Sequence, residues 1–311
     1  MTDDNLEEKN PKKDYSIPIS IFLSSLILAS AWIYTKGLNT TENSQLSAIV
    51  SEQLVETAEL PVVWKDLGKQ MIEAGVIDAE KFESLYSGRS GLTKEMKELL
   101  YGSDNGNLII SEENSGFLLN LLWALGLGNK NDILEKGPMS DLRYGGAGNF
   151  ASTGGWTLAK GDAMEHYSKH QFMKLNPSQQ ALVERVSKNI YRPCCGNSTY
   201  FPDCNHGMAM LGFLELMVSQ GASEEEMYKS ALVLNTFWFP DTYSAIKQYL
   251  AQKGLDWNKI SPQELLGSDF SSGSGYQKIL SELKSFQPKN SGGCGVDAGL
   301  PAPKSSSGCG V

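Results

Sequence analysis

Between positions 17 and 34 the chain reads IPISIFLSSLILASAWIY, eighteen residues without a charge. As a helix, such a run is about the shortest that crosses the roughly 30 Å hydrocarbon core of a bilayer. Tyr15, Trp32 and Tyr34 stand where interfacial aromatic residues concentrate. Lys9, Lys12 and Lys13 precede the run, whereas Lys36 alone follows it before Lys65. This bias predicts a cytoplasmic N-terminus, with everything after Lys36 outside the membrane. A cleaved secretory signal is the competing expectation, because Ala29-Ser30-Ala31 has a small-x-small pattern. The anchor is preferred, since the apolar run exceeds the usual signal core of about 7–15 residues. Both readings export the remainder.

That remainder is large enough to fold by burial alone. With 311 residues and 41% hydrophobic content, the chain needs no disulfide framework to hold a core. A formal charge of −9 and the lack of any Lys/Arg-rich block exclude a nucleic-acid surface, because nothing would neutralise phosphates. The organisation expected is a cytoplasmic segment (1–16), a transmembrane helix (17–34), a polar stalk (35–59), an extracytoplasmic domain (60–286) and a flexible tail (287–311).

Helix punctuation dominates the domain, and an all-α fold follows from it. Helical spacing is read over residues 61–75, 76–86, 92–101, 115–127, 155–173, 177–190, 206–220, 223–239, 243–253, 262–266 and 276–286. Three starts carry explicit caps: Asn176 with Pro177, Ser223 with Glu226, and Ser261 with Pro262 and Glu264. Only residues 107–111 (NLIIS) resemble a strand, and so short a segment founds no sheet without a partner.

Two loops superficially resemble binding motifs. Residues 101–112 (YGSDNGNLIISE) place Ser103, Asn105, Gly106 and Glu112 at calcium-loop offsets. The leading position holds Tyr101 where an aspartate is required, so an Asx-rich turn is the better reading. Residues 144–156 (YGGAGNFASTGGW) are glycine-rich, but no strand precedes them and no Lys-Ser/Thr pair closes a phosphate loop. A tight loop lining a site is expected instead.

The chemistry-bearing residues concentrate further on. His166 and His170, four apart on an expected helix, would project from one face at a spacing that chelates transition metals. No glutamate follows His166 as in zinc proteases, and two ordinary packed or solvated histidines are the alternative. Residues 192–210 (RPCCGNSTYFPDCNHGMAM) then hold Cys194, Cys195, Cys204 and His206. With Asn205 as helix N-cap, Cys204 stays in non-helical backbone, where its side chain and that of His206 can converge. A thiol at a helix N-terminus is also favoured as thiolate, which makes Cys204 the most reactive of the group. Vicinal cysteines do not easily reach one ion together, so one of Cys194 and Cys195 is expected to be spare. Met208 and Met210 suit Cu(I) but fit equally as core filler.

Residues 287–311 read QPKNSGGCGVDAGLPAPKSSSGCGV, with Gly-Cys-Gly-Val occurring twice around Cys294 and Cys309. Gly, Ser and Pro in this proportion predict a mobile arm whose thiols can visit a site on the body or engage a protein partner. The arm resembles the cysteine tails of some flavin-dependent reductases. No dinucleotide fingerprint accompanies it, so the likeness is confined to the arm.

Three functions compete: binding or handling of a transition-metal cofactor, Zn or Cu, by Cys194, Cys195, Cys204, His206, His166 and His170; thiol-disulfide exchange led by Cys204; and a helical domain whose cysteines merely staple a loop. Whether the protein is an enzyme is left open by the sequence.

Overall fold

A computed structural model describes residues 56–88 and 91–283. The expected membrane segment at 17–34, most of the stalk, and the tail with Cys294 and Cys309 lie outside these residues. Among the described residues no helix is long and apolar enough to cross a membrane.

The fold is helix-rich, but not all-α. Strand β1 (Thr57–Lys65) pairs antiparallel with β2 (Asn105–Ser111) in a two-stranded sheet. Leu60, Val62 and Trp64 alternate inward with exposed neighbours, the period-2 signature of a half-buried strand. The expected helix at 61–75 therefore begins only at α1 (Leu67–Glu73), and the first strand residues fall within the expected stalk. Pro61 is tolerated because the register shifts between Glu59 and Val63, so the missing N–H falls in the irregularity. The outer edge at Val63 is covered by a side chain: Gln220 accepts from the Val63 amide and donates to its carbonyl, both at 2.8 Å. The 101–112 loop resolves into the end of a helix and β2. Asn105 there donates to the carbonyls of Lys65 and Glu98.

Helices α2 (Ala79–Ser87) and α3 (Lys94–Tyr101) are capped by Asp78 and Thr93. The centre of the domain is α4 (Ser115–Gly128), buried at every position from 117 to 128. A helix that is apolar all round must be enclosed, and at fourteen residues it is too short to span a bilayer. After the short α5 (Asp132–Lys136) come 3-10 turns, then α6 (Pro177–Ser187), α7 (Asn205–Ser219), α8 (Glu224–Trp238) and α9 (Pro240–Gln252). The short helices α10 (Pro262–Leu265) and α11 (Ser268–Ser271) and the longer α12 (Gly273–Glu282) complete the described chain. All three sequence-read caps are in place. Asn176 and Ser223 form full capping boxes with Gln179 and Glu226, while Ser261 accepts from the Glu264 amide.

Helices α4 and α7 pack backbone to backbone. A Cβ on Gly126 would lie 2.1 Å from the Met208 carbonyl oxygen, and one on Gly212 would lie 2.6 Å from the Gly126 nitrogen. Only glycine permits this approach, which sets the position of α7 and therefore of the cysteine at its head.

Residues 155–173 form no α-helix. They run as turns with one 3-10 segment, Ala163–Glu165, and Ser168 adopts a positive φ of 52°. Gly154, Gly155 and Gly161 weaken a helix here, and tertiary bonds take its place. The Ser168 and His170 amides donate to the Leu127 and Gly128 carbonyls at 2.8 Å, satisfying the open end of α4.

Candidate metal centre

The loop from Tyr191 to Cys204 is pinned from several sides. The Tyr191 amide donates to the Leu266 carbonyl at 2.8 Å, and Asn235 of α8 donates to the Tyr191 carbonyl. Tyr191 and Ser198 form an antiparallel bridge that closes the loop on itself. The Gly273 amide holds the Cys195 carbonyl at 2.7 Å. On the opposite side the glycine-rich segment is the expected wall: Ser152 donates its amide to the Asp203 carbonyl, and its own carbonyl accepts from Trp123 Nε1 at 2.6 Å.

Within this frame the sulfurs of Cys194, Cys195 and Cys204 lie within 4.8 Å of one another, close enough to hold a metal ion. Both vicinal sulfurs join the cluster, against expectation, because a turn carrying the Cys195 amide back to the Arg192 carbonyl aims them at one point. All three are free thiols, with Cys194 Sγ 3.5 Å from Cys204 Sγ. A loop-stapling disulfide is therefore not formed, since an S–S bond is only about 2.05 Å long. Cys204 is fully buried, whereas Cys194 and Cys195 are partly exposed, so the cluster opens to solvent through the vicinal pair.

Sequence reasoning passed over the residue that organises the site. Arg192 is 1% exposed, and four of its N–H directions are engaged. Nε donates to Cys204 Sγ at 2.9 Å, Nη1 to the Asn197 carbonyl, and Nη2 to the Phe201 carbonyl and to Asp203 Oδ1 at 2.5 Å. Asp203 Oδ2 accepts from Asn197 Nδ2 at 2.7 Å. Gly207 makes room for the guanidinium, since a Cβ there would meet it at 2.5 Å. An arginine beside a Pro-Cys-Cys run carries no recognised spacing signal; its role exists only once the loop closes.

The electrostatics follow from this arrangement. Burial pushes the Cys204 thiol up, but hydrogen bonds from Cys194 and Cys195 and the charges of Arg192 and His206 outweigh it and hold Cys204 well below the usual thiol range. Hydrogen bonding to Cys195 and Cys204, reinforced by burial, raises Cys194. For Cys195, the hydrogen bond to Cys194 lowers the pKa, but that to Cys204 and burial prevail and lift it to about 11. Cys204 is thus the most acidic of the three thiols and the first to give up its proton. Cys204 itself is the N-cap of α7, one residue before the expected Asn205, so its sulfur also sits at the positive end of the helix dipole.

The histidines occupy other surroundings. His206 packs its ring on Phe239 and Trp238, with centroids 4.4 and 5.8 Å away, and its nitrogens are outside the close sulfur group. His166 and His170 face each other, Nδ1 to Nε2 at 3.0 Å, with His166 Nε2 on the Lys160 carbonyl at 2.8 Å. Met208 and Met210 are buried in the apolar core.

Fold and site together define a helix-rich domain carrying three clustered cysteines, one of them bonded to a buried arginine. No family model, curated protein or solved structure matches the chain.

Proposed function

We propose that this is a membrane-anchored, extracytoplasmic protein that holds a transition-metal ion, Zn or Cu, on Cys194, Cys195 and Cys204. The observation that carries the reading is the convergence of three sulfurs within 4.8 Å in a loop pinned from several sides. Thiolate sulfur is the donor that selects soft and borderline ions, and a preformed cage lowers the ordering cost of binding them. The uncharged stretch at 17–34 supports the anchor. The tail thiols Cys294 and Cys309 would deliver or accept the ion at high local concentration.

Elemental analysis of the purified full chain, paired with thiol counts before and after reduction, tests the site. Stoichiometric metal that is lost in Cys195→Ser and Cys204→Ser is the expected result; metal-free protein with reactive thiols defeats the reading. Fractionation tests the anchor, which requires the chain to remain with membranes through salt washing. Replacing both tail cysteines by serine should slow metal uptake while leaving the fold intact, and unchanged uptake removes the delivery role.

Thiol-disulfide exchange is a second reading, favoured by the 3.5 Å separation of Cys194 and Cys204. An incoming disulfide would meet the partly exposed vicinal pair before the buried Cys204, which weakens Cys204 as the attacking sulfur. Trapping a mixed disulfide on Cys194 or Cys195 in metal-free protein would support this alternative.

A further inference from the structure

We infer that the ion is Cu(I), bound by three sulfurs and no fourth ligand; this rests on the metal-binding reading above. Structural zinc sites close their shell with four protein ligands. Beside the three sulfurs, Asp203 brings a carboxylate oxygen close, with Oδ1 3.9 Å from Cys195 Sγ. Oδ1 is committed to Arg192 and Oδ2 to Asn197, at 2.5 and 2.7 Å. His206 is held against Phe239 and Trp238 and stands outside the sulfur group.

Three sulfurs placed about 2.3 Å from a central ion in one plane stand about 4.0 Å apart, which matches the cluster's spread from 3.5 Å to at most 4.8 Å. Soft thiolate donors and three-coordination both favour Cu(I). Binding replaces the thiol protons of the ligating cysteines, which pass to solvent, and no electron moves because copper enters already reduced.

The test is anaerobic competition on the reduced full chain, repeated in the Cys294→Ser/Cys309→Ser background so that tail sulfurs do not contribute. Protein loaded with Zn(II) is titrated with Cu(I) buffered by a chromophoric chelator, and the metal edge is examined by X-ray absorption. Stoichiometric displacement of zinc and a shell of three sulfurs without nitrogen or oxygen are expected. Cys195→Ser, which alters a partly exposed side chain, should fold and reduce that shell to two sulfurs. Zinc retained against Cu(I), or copper with a nitrogen or oxygen ligand, overturns the assignment while leaving metal binding intact. Failure of both ions to bind ends the metal-binding reading itself.

Discussion

The Nε of Arg192 donates to Cys204 Sγ at 2.9 Å, and both residues are buried. The same guanidinium is paired with Asp203, so its removal leaves the Asp203 carboxylate and the Cys204 sulfur without their buried donor. Breaking a buried pair from one side costs about 3–5 kcal/mol. Arg192→Met should destabilise the domain by that order in urea denaturation and move the Cys204 thiolate titration, followed by ultraviolet absorbance, to higher pH. Arg192→Lys should rescue only part of either effect, because an ammonium cannot reproduce the planar fork.

Gly126 and Gly212 hold α4 and α7 in backbone contact. Gly126→Ala places a methyl 2.1 Å from the Met208 carbonyl oxygen, and the helices must separate. Overpacking of this kind costs about 1–3 kcal/mol. A lowered denaturation midpoint at unchanged slope is expected, together with weaker metal retention, since α7 carries Cys204.

Glu215, on α7, is fully buried, and Asn129 donates to Oε2 at 2.6 Å. Burial drives its carboxyl well above the ordinary value of 4.5. Above about pH 4.5 the unfolded chain releases a proton that the folded chain keeps, so stability falls as pH rises, by at most about 1.36 kcal/mol per pH unit. The fall continues until the folded carboxyl itself titrates. Glu215→Gln keeps the shape and removes the proton. Thermal melts should show the variant gaining on the parent as pH increases through this window.

The histidine pair should make the 163–172 loop sensitive to acid. The Lys160 carbonyl requires a proton on His166 Nε2, so His166 Nδ1 accepts from His170 Nε2. Burial, with the nearby His166 and Lys169 charges, lowers the pKa of His170 below 6.5. As pH falls below about 6.5 the unfolded chain binds a proton that the folded His170 resists, and this contribution to stability is lost. Hydrogen exchange at the Ser168 and His170 amides, corrected for intrinsic rate, should accelerate between about pH 7 and pH 5. His170→Phe should lose that dependence.

Local chemistry was legible where it acts over a single turn. Asn176, Ser223 and Ser261 mark helix starts because a side-chain oxygen three residues from an open N–H is sufficient to cap it. Short apolar runs were ambiguous. PVVWK admits both periods, and only pairing with β2 makes it a strand. His166 and His170 share the i, i+4 interval of a helix, yet they meet across a turn held by the α4 carbonyls.

By itself the sequence determined that the domain is mostly helical, that Cys194, Cys195 and Cys204 fall in a loop short enough to converge, and that Cys204 stands at a helix start. Each is a matter of spacing along the chain. Tertiary structure alone decided that both vicinal sulfurs join the cluster, that His206 faces Phe239, and that Arg192 links the Cys204 sulfur to Asp203. Those relations depend on Tyr191, Cys195 and Asp203 being tied to Leu266, Gly273 and Ser152, partners 75, 78 and 51 positions away. Spacing along the chain carries no information about such partners, because closing loops of that length is decided by the packing of the whole core.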